Sequence, residues 1–130
     1  YDSSFNAPLV PNLTPFPHPT GIVQVPVFFM EGNWFRFNLL PRLPQDLLTP
    51  GLKIFGFHPV SLWHNAGPES FLSLRNTPVE KRYKSGLIAS DYGIWDYFIE
   101  LLHVIREEKI HCTTLSELFS VVSIYNKNQI

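Results

Sequence analysis

Proline placement constrains this chain more than any other feature. Ten of its 12 prolines fall within the first 59 residues. Proline fixes φ and removes a backbone donor, so a segment studded with it is neither a helix nor a central strand. Residues 5–20 carry Pro8, Pro11, Pro15, Pro17 and Pro19. This stretch is expected to lie extended over the surface of a core, pinned by Phe5, Leu9, Leu13 and Phe16. A free linker seldom carries so many apolar anchors.

The regular elements must then fit between the breaks. Gly21 opens a β-branched and aromatic run, Ile22 to Phe29, which reads as a strand. Pro26 places that strand at an edge or kinks it. Glu31-Gly32-Asn33 reads as a turn, and Trp34 to Leu40 as irregular chain or a brief helix. Pro41, Pro44 and Pro50 punctuate the next stretch, where Gln45 to Leu48 has room for one helical turn. Gly51 opens Leu52 to Phe57, whose near-continuous apolar character fits a strand covered on both faces of a parallel sheet. His58-Pro59 stops it. The connection from Val60 to Ser90 shows no clear period, and a loop of that length is either functional or a misassignment.

From Asp91 the pattern turns helical. Ile94, Phe98, Leu101, Leu102 and Ile105 recur on one face, with Asp91 as the expected N-cap. Ile110 to Cys112 reads as a short strand. Thr114 and Glu117 have capping-box spacing ahead of a last helix with Leu115, Leu118, Phe119 and Val122 on its apolar face. Strand, helix and strand in series make a parallel crossover unit, so the fold class is α/β in a single domain over residues 1–130.

Composition excludes several functions. Hydrophobic residues make up 45% of the chain, too many for a disordered one. Ten basic and 11 acidic residues leave no surplus to neutralise a phosphate backbone, which argues against nucleic acid as a partner. The cluster Lys81, Arg82 and Lys84 reads as a solvated loop. Cys112 stands alone, so neither an internal disulfide nor a thiolate metal site is available. The apolar runs fall short of the roughly 18–20 residues that cross a bilayer. The start, Tyr1-Asp2-Ser3-Ser4, is neither an initiator methionine nor a signal peptide, and reads as cut from something longer.

Among residues that could carry chemistry, His58 comes first. It ends an apolar strand, and strand C-termini build the active sites of barrels and open α/β sheets. Histidine serves as acid or base near neutral pH. A structural histidine at a strand end is the competing reading. His64 and Asn65 follow closely, but no recognised metal spacing joins either histidine to a third ligand. His111 and Cys112 are neighbours on an expected strand and so point to opposite faces. Trp34, Phe35, Trp63 and Tyr83 could form a sugar platform, although packing is the commoner role of such rings.

Taken together, several of these segments resemble the polysaccharide deacetylase family of the NodB-homology type. Tyr1 to Ser4 resembles the stretch after the family's Arg-Pro motif. Gly21 to Glu31 resembles the strand leading to its aspartate- and tryptophan-containing motif. Leu52 to Asn65, with Phe57-His58-Pro59 and Asn65, resembles the late histidine strand in deacetylase-like proteins of surface-polysaccharide and lipopolysaccharide synthesis. Thr114 to Leu118 resembles the last strand-to-helix junction. The resemblance implies the C-terminal part of a distorted parallel (β/α)7 barrel that removes acetyl groups from a sugar. It implies His58 as the general acid, and Glu31, Trp34, Trp63 and Asn65 around the carbohydrate. It also implies a divalent metal, zinc, in a full family member. The family's Asp-Asp pair and His-x-x-x-His motif are absent, so this chain alone is expected to bind no metal. Asn33 stands where an aspartate usually precedes the tryptophan. A non-catalytic module that binds carbohydrate or completes a partner is the alternative. The open sheet edges of a part-barrel imply self-association.

Overall fold

The computed structural model describes residue 2 and residues 4–82 and 92–127. Its elements are β1 (Phe16–Pro17), β2 (Val23–Gln24), β3 (Phe29–Met30), α1 (Glu31–Phe37), β4 (Phe55–Gly56), α2 (Pro59–Trp63), α3 (Pro68–Asn76), α4 (Val79–Arg82), α5 (Ile94–Glu107) and α6 (Leu115–Lys127). The fold is mixed α/β with a small open sheet.

Residues 23–30 form the middle line of that sheet. On one side the proline-rich segment runs parallel to it, with Val25 N–H donating to Asp2 O at 2.8 Å, Val27 N–H to Phe5 O at 2.8 Å and Ala7 N–H to Val27 O at 2.9 Å. The expected surface loop is thus a third extended line of the sheet. Pro8 and Pro26 leave gaps in the ladder, so only isolated bridges join the two lines. On the other side β3 pairs with β4 in parallel, with Phe29 opposite Phe55 and Met30 opposite Gly56. β1 folds back antiparallel on β2 through a turn at Gly21, whose φ of 82° suits glycine.

The start of the 51–57 line is fixed by a close crossing. Asn12 N–H donates to Pro50 O at 2.9 Å and Leu52 N–H to Leu13 O at 2.7 Å. Gly51 has a φ of 101°, and a Cβ there would stand 2.5 Å from the Leu13 nitrogen. Only glycine fits both the conformation and the gap.

The core lies between the sheet and the helices. Phe28, Phe29, Trp34, Phe35, Ala66, Leu74, Ile94 and Tyr97 form one buried cluster. Phe29 is its centre, with ring centroids 5.8 Å from Phe55, 5.9 Å from Phe57 and 5.6 Å from Tyr97. Burying an aromatic ring of this kind contributes on the order of 2–3 kcal/mol. α5 buries Ile94, Tyr97 and Leu101, so its inward stripe is rotated from the expected one and Leu102 is exposed.

Other expectations need correction. Glu31-Gly32-Asn33 is the first turn of α1, because Glu31 and Asn33 are both satisfied inside the fold and Trp34 and Phe35 give that helix a buried face. The supposed loop after Val60 holds α2, α3 and α4, with Pro59 and Pro68 at first-turn positions where proline is tolerated. Ile110 to Cys112 pairs with no described strand. The expected cap Asp91, the ring of Tyr83 and the side chain of Val122 lie outside the described residues. Thr114 and Glu117 do form the capping box, with Thr114 N–H donating to the Glu117 carboxylate at 2.8 Å and Glu117 N–H to Thr114 Oγ1 at 3.2 Å. The Thr114 N–H and the Thr113 and Thr114 hydroxyls, all donating to it, hold the Glu117 carboxyl below its usual range.

Candidate functional site

The parallel register builds the site. Because Met30 lies opposite Gly56, the next residues of both lines leave the sheet at the same end. Glu31 then opens α1 and His58 immediately precedes α2. Glu31 is buried at 2% exposure. Its Oε2 accepts the backbone N–H of His58 at 2.7 Å, and its Oε1 lies 2.7 Å from His58 Nδ1. A carboxylate removed from water costs several kcal/mol unless donors satisfy it, and here one residue supplies both.

This pairing fixes the chemistry of the imidazole. A carboxylate oxygen only accepts, so Nδ1 must carry the proton that meets it. Nε2 is then the ring atom left to give or take a proton. The His58 side chain is 62% exposed, so the ring is open to solvent. It stands at a cleft of about 350 Å³ lined in part by Asn6, Gly32, Asn33, Arg36 and Phe37. Asn33 and Asn6 join their amides across it, at 3.2 and 3.4 Å.

Of the five residues expected at a site, Glu31 and His58 meet. The other three do not line this cleft. Trp34 is buried, its ring 5.7 Å from Phe35 and 6.2 Å from Tyr92. Trp63 sits at the end of α2 with 71% of its surface exposed. Asn65 supplies the N-cap of α5 from a distance. Its Oδ1 accepts Trp95 N–H at 2.9 Å and Asp96 N–H at 3.4 Å, and its Nδ2 donates to Asp96 Oδ2 at 2.7 Å. The Asn65 amide and Gly93 N–H, which donates to the same oxygen at 2.9 Å, keep the Asp96 carboxyl below its ordinary value.

Arg36 and Phe37 were not expected here. The apolar run after Trp34 hid the fact that a helix beginning at Glu31 carries both to the cleft. His64 is 2% exposed, and neither ring nitrogen has a hydrogen-bond partner among the described residues. Cys112 is exposed, in a second groove of about 270 Å³ at the opposite end of β4.

The metal that the family resemblance implies does not fit the residues present. Among the described residues no group of three or more His, Cys, Asp or Glu could hold an ion. Glu31 commits both oxygens to His58, and His64 stands apart from any carboxylate partner. Also among the described residues, no helix is long and apolar enough to cross a membrane.

The fold resembles the crystal structure of a Bordetella bronchiseptica protein proposed to be a polysaccharide deacetylase involved in O-antigen biosynthesis. The two share a TM-score of 0.61 and 20% identity over 79% of this chain and 45% of that one. The chain therefore spans less than half of that protein's length, and at this identity the likeness is one of fold. No family model matches the sequence. No curated protein matches it either.

Proposed function

We propose that this chain forms part of a carbohydrate deacetylase, supplying late strands of a distorted (β/α)7 barrel and the histidine that protonates the leaving group. The observation that carries this reading is the two-point grip of Glu31 on His58 at the mouth of an open cleft. The fold likeness to the Bordetella protein supports it.

In this reading an acetylated sugar lies in the cleft. Hydrolysis passes through a tetrahedral intermediate whose collapse expels a sugar amine or alkoxide. That leaving group needs a proton. Protonated His58 gives it from Nε2, while Glu31 holds Nδ1 and so fixes both the tautomer and the plane of the ring. The backbone bond from His58 to the same carboxylate fixes the residue as well as the ring, which keeps the proton aimed at one place.

Acetate release from acetylated oligosaccharides tests this. His58→Ala is expected to lower turnover by about 10² to 10⁴ fold, the usual contribution of general acid catalysis. Unchanged turnover removes His58 from the mechanism. Nuclear magnetic resonance of the imidazole gives a second readout. Added acetylated saccharide is expected to shift the His58 Nε2 signal and to leave that of the buried His64 in place.

A further inference from the structure

The cleft beside His58 extends along α1, and that face has features the acid role does not use. On a helix, residues four apart are neighbours, so Gly32 sits beside Arg36 and Asn33 beside Phe37. Asn33 is engaged with Asn6. The other three are unexplained by packing. Gly32 lies in the first turn of α1. No atom stands within 4 Å of where its Cβ would be, and its φ is not left-handed. Neither backbone nor neighbours require glycine, and its effect is to keep the cleft open.

Arg36 is exposed, and no described residue makes a hydrogen bond or ion pair with its guanidinium. The nearest carboxylate in the cleft, Glu31, is buried and already holds His58. Phe37 is 66% exposed, a large ring in water at the end of the same helix. A guanidinium presents a planar fork of donors that matches a carboxylate or phosphate, and a phenyl face suits the apolar side of a sugar ring.

We infer that the cleft accepts an acidic saccharide, whose oxyanion pairs with Arg36 while a sugar ring lies over Gly32 against Phe37. This rests on the carbohydrate reading above and narrows its substrate class to glycans that carry a carboxylate or a phosphate. The anion provides the chemistry that Arg36 recognises, and the two sources are separable by experiment.

The test is a calorimetric titration of the protein with three N-acetylated oligosaccharides of equal length: one neutral, one carboxylated, one phosphorylated. At low salt an anionic form is expected to bind about tenfold tighter than the neutral one, as a charge-assisted hydrogen bond predicts. The gap should shrink as salt screens the partly exposed pair. Arg36→Gln should close the gap and leave neutral binding within about twofold, since it removes a charge and little volume. Preference for carboxylate or for phosphate supports the inference and names the source. Equal affinity for neutral and anionic forms overturns it while the carbohydrate reading stands, as does a gap that survives Arg36→Gln. If none of the three saccharides binds, the carbohydrate reading fails and takes this inference with it.

Discussion

Two polar junctions join distant parts of this chain, and they differ in what they leave over. At one, Glu31 reaches across 27 positions to His58; at the other, Asn65 reaches across 31 to Asp96. In both, a side chain satisfies backbone N–H groups of a distant segment. Asn65 turns both ends of its amide to the first turn of α5, Oδ1 as acceptor to two N–H groups and Nδ2 as donor to a carboxylate. Glu31 spends its carboxylate on His58, but His58 keeps Nε2 free above a cleft. At the first turn of α5 the polar atoms that meet hold the start of a helix. At Glu31 and His58 one oriented ring nitrogen is left over beside a cleft.

Substitutions at the two junctions should therefore separate activity from stability. The largest effect is expected at His58, where alanine should cost the turnover loss given above and, by leaving buried Glu31 Oε1 without its donor, about 1–3 kcal/mol of stability. Turnover that falls only as far as the folded fraction does would erase the contrast. Glu31→Gln should come next, lowering turnover by roughly 10-fold or more because the amide no longer fixes the Nδ1–H tautomer. It should also destabilise the fold, since a buried amide replaces a paired carboxylate. Chemical denaturation of the same variant measures that half of the effect.

Asn65→Ala should act on stability alone, by about 2 kcal/mol, the sum of a lost cap and a left-handed residue without asparagine's tolerance. Its φ is 45°. Gly93→Ala is expected to destabilise by about 1–2 kcal/mol, because the added methyl meets the Asn65 carbonyl and the chain must shift. If either variant retains full stability but loses glycan binding, the division between the junctions is wrong.

The smallest effect concerns acid. The Asp96 carboxyl is held below its ordinary value of 3.8 by Asn65 and by Gly93 N–H. A carboxyl lowered on folding contributes stability above its unfolded pKa and loses it as pH falls through the folded one. Thermal melts between pH 5 and about pH 3 should show a steeper loss for the wild type than for Asp96→Asn, whose amide does not titrate. Parallel slopes would mean that this junction plays no part in acid unfolding.

Much of this architecture is legible in the chain. The apolar run before His58 marks a strand end, and the spacing from Ile94 onward marks a helix. Proline placement was the harder signal. It predicts loops in residues 5–20, yet the segment before Val10 runs beside the 23–30 line, because a gapped parallel ladder tolerates residues that cannot donate. The turn-like triplet Glu31-Gly32-Asn33 misleads for a related reason. Each of its residues favours a turn locally, but Trp34 and Phe35 need a buried helical face, and packing outweighs propensity. Trp34 as a sugar contact and Asn65 as a substrate donor follow from motif position. Burial and hydrogen bonding depend on which distant segment arrives beside them, and no local pattern encodes the meeting of Asn65 with α5.

Gly51 bears on the placing of His58 although it sits at the far end of the same strand line. Seven residues of extended chain separate them, roughly 23 Å. Alternate residues of such a line face opposite ways, so a slip of one position would turn His58 away and bring Phe57 or Pro59 toward Glu31. The crossing of Gly51 beneath Asn12 and Leu13 prevents that slip. It works as an anchor at the far end of a ruler, and the direction of the imidazole at one end is set by a missing side chain at the other.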